Sequence, residues 1–363
     1  MRRITPLILA FSAVGAAATA HLSAQIPERV SGEVSCAECF ITFDTVLTIG
    51  GLDGPGMHVL SPFSHVAVDR RGRILVAAAD QAEISVFDSS GRFLRTVGRR
   101  GEGPGEYGSI SHIAVGPRYI HIFDPRDGQT ILDHDFRVVR TDAFPGQIGS
   151  AFVVGDGSVV FAGDEPTSAA IGHNLHMISG SGEIVSYDDD GEPYPSPLTG
   201  STSRRSFVAG AGDALWEVGV VDNRLVRWDL VPEPRVARVI ERQVVEFDRA
   251  APPYVVENFP GAGRSGRNGG AMLDDQGLWI IWHTPDPEWT GSVSAGDILS
   301  LVVKLSDGWL DLVDPDTGRT TGRHHQDGIF LGFASGSGYV VAYHETEAGV
   351  PFIHLLEPQL SRR

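Results

Sequence analysis

The sequence predicts an all-β fold: a six-bladed β-propeller of four-stranded antiparallel blades, its ring closed by an N-terminal strand that completes the last blade. Three observations predict it. A two-strand unit recurs six times, turn-forming residues punctuate the whole chain, and the strand missing at one end of the chain has a match at the other. With 44 glycines and 22 prolines in 363 residues, many short strands joined by turns are favoured over long helices.

The chain opens with Arg2 and Arg3, an apolar run from Ile4 to about Ala18, and small residues at Ala18, Ala20 and Ala24. This is the pattern of a secretory signal over residues 1–24, with Gln25 as the expected mature start, and the run is shorter than the ~20 residues that span a bilayer. Residues 25–43 form a lead segment that carries the only two cysteines, Cys36 and Cys39. In an oxidising compartment a disulfide is the default for such a pair. A redox-active pair is the alternative, although no βαβ pattern or following helix is present to lower a thiol pKa. Haem attachment would need histidine at position 40, which is Phe40, and a cysteine-only zinc site would need two more cysteines.

The propeller is expected over residues 44–360. Its unit is an apolar strand, a tight turn usually containing glycine, and a nearly all-apolar second strand, starting at His65, His112, Ala151, Phe207, Ala271 and Leu331. Such a hairpin cannot bury both its faces without neighbours, so repetition implies stacking. A third and usually a fourth strand follow, as where Asp88 to Gly91 turns the chain. Polarity grades outward: Ile74 to Ala78 is apolar throughout, whereas Phe93 to Val97 admits Arg95 and Thr96. Similar turns occur at Ser179 to Gly182 and Asp314 to Gly318. After the last hairpin only Pro351 to Glu357 remains, so the sixth blade lacks an outer strand. Thr45 to Gly50 matches Phe93 to Gly98, each followed by Gly-Pro-Gly, and is expected to supply it. Extra sequence between Pro285 and Ser306 reads as an elaborated loop of the fifth blade.

The run from Val66 to Val115, including the Gly101 to Tyr107 loop, resembles two successive NHL-type repeats of exported bacterial six-bladed propellers. That resemblance implies the ring, but propellers host binding, scaffolding, lyase and lactonase functions alike, so it names no activity.

Acidic residues outnumber basic ones, 46 against 29, for a formal net charge of −17, and Lys304 is the only lysine. Such a chain is not expected to bind nucleic acid or anionic lipid. No integral membrane segment is expected after signal cleavage, and a monomer is expected. Gly103 to Gly108 fits a GxGxxG search, but strand-like sequence follows where a dinucleotide site needs a helix.

His65 and His112 occupy one position in successive blades, at the start of the innermost strand. Here the chain resembles amidating-lyase propellers that hold zinc with three histidines, which would make these two metal-ligand candidates. In that family the histidine falls one residue earlier, where Ser64 and Ser111 stand, and one residue of offset turns a side chain to the other face of the sheet. Other blades offer Ser206 and Gly270 at or near the position. The acidic run Asp188 to Glu192 lacks the alternating spacing of a calcium loop, and adjacent His324 and His325 are expected on opposite faces of a strand. No catalytic or cofactor-binding residue is assigned and no cofactor is expected, calcium or zinc being the only candidates. The reading is therefore an exported, periplasmic or secreted binding or scaffold module for a protein or small-molecule partner. The alternative is a metal-dependent hydrolase or lyase, lactonase-like or amidating-lyase-like, with its site at the central channel.

Overall fold

The computed structural model describes residues 26–51, 60, 64–78, 82–125, 128–143, 147–154, 157–164, 175–179, 182–187, 205–210, 213–219, 223–231, 233–245, 267–285 and 306–363. Two strands come first, β1 (Glu28–Ser31) and β2 (Cys39–Gly50). Blade 1 follows with β3 (Ser64–Val68), β4 (Ile74–Ala78), β5 (Ile84–Phe87) and β6 (Phe93–Val97). Blade 2 comprises β7 (His112–Val115), β8 (Ile120–Asp124), β9 (Gly128–Leu132) and β10 (Val138–Asp142). Blade 3 has β11 (Gln147–Val153), β12 (Val159–Asp164), β13 (Leu175–Ile178) and β14 (Ile184–Tyr187). Blade 4 has β15 (Arg205–Ala209), β16 (Ala214–Gly219), β17 (Arg224–Asp229) and β18 (Arg235–Gln243). Blade 5 has β19 (Arg267–Leu273), β20 (Leu278–Pro285), β21 (Ser306–Val313) and β22 (Thr320–Asp327). Blade 6 has only β23 (Phe330–Phe333), β24 (Val340–Glu345) and β25 (Pro351–Arg362) from the C-terminal end of the chain.

The six strands β3, β7, β11, β15, β19 and β23 each touch the next, and β23 touches β3, which closes the ring around a channel. Because every blade packs against two others, its inner strands must be apolar on both faces: β4 is buried at all five positions, whereas outer β6 is exposed at four of five. Among the described residues, six apolar clusters fill the six junctions. Ala67 and Ile84 meet Ile113 and Ile122 between blades 1 and 2, for example, and Val218 and Leu225 meet Leu278 and Ile280 between blades 4 and 5.

Closure is made by β2, which pairs antiparallel with β25 from Cys39↔Arg362 to Gly50↔Phe352. A bulge between Thr45 and Leu47 breaks the period of two, leaving Val46 exposed. Ile41 and Phe43 therefore point into the junction of blades 5 and 6, while Leu47 and Ile49, of the same parity, point into the junction of blades 6 and 1. One strand thus stitches the last blade to both neighbours.

The structure draws the lead segment into these sheets. β2 begins at Cys39 rather than 44, and β25 runs on to Arg362. β1 adds a fifth strand to blade 4, parallel to β18 with Glu28 opposite Ile240. Between β1 and β2 the chain crosses the outer strand of blade 5. The Ser35 amide donates to the Thr320 carbonyl (2.8 Å), and the Gly32 carbonyl accepts from Thr320 Oγ1 (3.1 Å) and Arg323 Nη2 (3.0 Å). Beneath it Arg242 donates to Asp311 (2.6 Å), as does Arg323 (2.7 Å), and the side chains of Arg242 and Asp311 are wholly buried. Burial opposes the Asp311 charge, yet the two guanidiniums hold its carboxyl below the usual range. Cys36 and Cys39 close the strap just before β2, with sulfurs at bonding distance and Cα atoms 5.3 Å apart.

Candidate functional site

Antiparallel order gives the ring two unlike faces. On one lie the turns joining first to second and third to fourth strands. None spans more than the six residues of 334–339 and 314–319. Aspartates tie several of them: Asp69 Oδ1 accepts from the amides of Arg71 (2.9 Å) and Arg73 (3.0 Å), Asp88 from those of Ser90 and Arg92 (both 3.0 Å), and Asp133 from those of Asp135 (2.8 Å) and Arg137 (2.9 Å). The blade 6 turn also reaches inward on this face. The Ser335 carbonyl accepts from the Val68 amide (2.7 Å), and Ser335 Oγ accepts from the Val115 amide (3.1 Å), so the turn lies across the inner strands of blades 1 and 2. Gly336 fits there with φ +79°, where a Cβ would strike the Val68 carbonyl. At the opposite face lie the strand ends joined by the connections between second and third strands and between blades. The stretches of sequence between those ends include 165–174, 188–204, 246–266 and 286–305, which lie outside the described residues, as do the Asp188 to Glu192 run and the fifth-blade insertion.

His65 and His112 stand where β3 and β7 leave this second face, with ring centroids 5.6 Å apart and edge to face. His112 Nε2 lies 3.1 Å from the Ala151 carbonyl on β11. A carbonyl only accepts, so Nε2 carries the proton and cannot be a metal ligand in this arrangement. Burial pushes His65 down to about 3, with His112 adding to the shift, and burial pushes His112 to about 4 despite the Ala151 bond. The pair is neutral at physiological pH and links blades 1, 2 and 3. His283 repeats the device between blades 5 and 6, its Nε2 donating to the Phe330 carbonyl (2.9 Å).

The inter-blade loop from Arg99 to Gly108 ties itself shut. The Tyr107 amide donates to the Arg99 carbonyl (2.9 Å), the Glu106 amide to the Gly103 carbonyl (2.9 Å), and Glu106 carboxylate oxygens accept from the Gly103 amide (3.0 Å) and Arg99 Nε (2.7 Å). Those contacts hold the Glu106 carboxyl below its ordinary range, the Gly103 amide first. Gly98, at φ +81°, is glycine because the Tyr107 ring lies where a Cβ would be. Asp124 at the end of β8 then receives the chain, accepting from the amides of Gly108 (2.6 Å) and Ser109 (3.2 Å). A cavity of about 150 Å³ lies between this loop and β8, β9 and β10. No helix follows the glycines; β7 does.

On blade 5, His325 Nε2 lies 3.1 Å from Asp307 Oδ2, and its ring packs on Trp309 at 4.1 Å. With Asp327 these form the one group of three ligand-type residues among the described residues whose ligand atoms lie within 4.8 Å of one another. His324 faces the other way, against Phe43 at 4.8 Å, as alternation along a strand requires. The sequence reading did not find the Asp307–His325–Asp327 group, nor the meeting of Tyr107 with Asp124. Both are contacts between different strands or loops, which no local spacing announces.

The comparisons agree with this architecture. The sequence family DUF5128, described as a 6-bladed beta-propeller, matches residues 60–176. Among solved structures, a protein of Bacteroides fragilis NCTC 9343 described as a candidate exported protein is similar with a TM-score of 0.55 at 13% identity, over 92% of this chain and 99% of that one. A member of the DUF4221 family from Bacteroides vulgatus ATCC 8482 is similar with a TM-score of 0.55 at 10% identity, over 89% and 99%. No curated protein matches the sequence. The chain is a six-bladed β-propeller. Among the described residues, no helix is long and apolar enough to cross a membrane.

Proposed function

We propose that this propeller is an exported, periplasmic or secreted binding module that presents the face carrying its inter-blade connections to a protein or small-molecule partner. One observation carries the reading: every turn on the other face is short, whereas the stretches of sequence joining strand ends at this face run to 244–266 and 286–305. A rigid ring with long connections on one side is the usual arrangement of a recognition surface. Export is supported by the signal-like start and by the paired cysteines. The excess of acidic residues directs the expectation away from nucleic acid.

A photo-activatable amino acid tests the choice of face in cells. Placed at Ser109 or Asp327 it is expected to crosslink a partner, and placed at Ser90 or Asp316 it is not. Crosslinks from the short-turn positions alone, or from neither set, would overturn the reading.

A further inference from the structure

We propose that His344 and His354, at the connection-face end of blade 6, hold a divalent transition-metal ion of the zinc type. In the ladder of β24 and β25, His344 stands opposite Phe352 and Ala342 opposite His354. The histidines are therefore diagonal neighbours on one face of the sheet, within reach of each other's long side chains. Their ring centres lie 5.2 Å apart, with the planes at 59°. Two imidazoles bound through one nitrogen each to a tetrahedral ion at about 2.0–2.1 Å have ring centres about 5 Å apart. The rings thus stand at the separation that one shared ion requires.

Each ring has a nitrogen to give. Both histidines are half-buried. His344 hydrogen-bonds to no described residue, and its nitrogens are not sealed from solvent. His354 Nδ1 lies 2.7 Å from Oγ1 of Thr48, which stands directly opposite it on β2. With Nδ1 engaged, Nε2 is left for a metal, and a partner that fixes the ring and tautomer in this way is the usual companion of a metal-binding histidine. Phe352 braces both rings, stacked on His344 at 5.6 Å and edge-on to His354 at 5.1 Å. Burial holds both histidines below their ordinary range, and each would repel a charge on the other, so both are neutral at pH 7 and keep their lone pairs. Among the described residues no third ligand-type group clusters with them, so water completes the coordination. Zinc suits two imidazoles and water, whereas calcium takes six to eight oxygens. Through Thr48 the ion would also tie the closing strand to the blade it completes.

The site lies on the connection face but stands apart from the choice of partner, so it can fail while the crosslinking result stands. The probe is zinc chloride, titrated calorimetrically into the untagged mature chain after dialysis against a chelator. Saturation at one ion per chain is expected. His344→Asn and His354→Asn should each weaken binding by at least about tenfold, and Thr48→Val, which keeps both imidazoles, by about tenfold. Thr48 is exposed, so that variant keeps the fold. Saturating zinc should raise the melting temperature of the unaltered chain and not that of His344→Asn. His325→Asn is the control for the Asp307, His325 and Asp327 group and should bind zinc as the unaltered chain does. No saturable binding, unchanged affinity in either histidine variant or in Thr48→Val, or loss of binding in His325→Asn would overturn the proposal.

Discussion

Closure by β2 predicts that Ile41 and Ile49 stabilise the ring separately, because the bulge at Val46 sends them into different junctions. Ile41 is 5% exposed among Trp279, Leu310 and Phe330, and Ile49 is 3% exposed among Val66, Ile74 and Ile353. Truncating a buried isoleucine to alanine costs about 2–5 kcal/mol through lost transfer energy and the cavity left behind. Since the two belong to separate clusters, their costs should add to within about 0.5 kcal/mol, giving about 4–10 kcal/mol for Ile41→Ala with Ile49→Ala. A total stability of roughly 5–15 kcal/mol leaves the double variant close to unfolding. Urea titration of the mature chain measures each value. Costs below about 1 kcal/mol each, typical of surface changes, would refute the closure. Deleting every residue up to Gly51 removes the whole ladder and exposes the edge of β25, so that chain should aggregate.

Other perturbations have equally definite expectations. Mass spectrometry without reduction should find Cys36 and Cys39 in one intramolecular disulfide, and alkylatable thiols in the exported protein would contradict this. His65→Ala with His112→Ala should leave metal content unchanged and cost about 1–2 kcal/mol; loss of a stoichiometric metal would favour the channel-metal alternative. His65 and His112 fall to about 3 and 4 when folded, and His121 and His283 to about 4. The unfolded chain therefore binds more protons between about pH 4 and 6.5, and stability present above about pH 6.5 should be lost as pH falls through that window. Replacing His65 and His112 by asparagine should flatten the dependence, and an unchanged slope would contradict it. Asp311→Ala leaves Arg242 buried without its carboxylate and should cost about 3–5 kcal/mol by urea titration, a loss under 1 kcal/mol counting against the clamp.

The repeat was legible because each blade writes the same hairpin, with aspartate and glycine at turns that need them. Closure was legible too, since Thr45 to Gly50 matches the outer strand of blade 1. The early start of β2 was present as alternation at Ile41 and Phe43, but Val46 shifts the phase and hides its continuity with Leu47 and Ile49. β1 was not legible. Glu-Arg-Val-Ser has no apolar period, and its place is fixed by a parallel ladder to β18 and by Arg238, which pairs with Glu28 at 2.7 Å. His65 and His112 could be singled out by their repeated position. That a backbone carbonyl on the next inner strand of the ring, β11, occupies one nitrogen of His112 could not be read from spacing. The cavity escaped for a similar reason: the Gly101 to Tyr107 loop announces a turn, but its acidic counterpart, Asp124, comes from the far end of β8, beyond the hairpin that follows the loop.

The binding face is the central claim, and replacing its connections tests it most directly. In one chain, residues 188–204, 246–266 and 286–305 are each exchanged for a short Gly-Ser turn. A second chain keeps these and receives Gly-Ser turns in place of 88–92 and 179–183. Partner crosslinking from Ser109 and Asp327 is then compared with the unaltered protein, alongside circular dichroism of each chain. The account predicts β-propeller spectra for both, loss of the crosslinked partner in the first chain and its retention in the second. Retention in the first chain with loss in the second would place recognition on the short-turn face and contradict it.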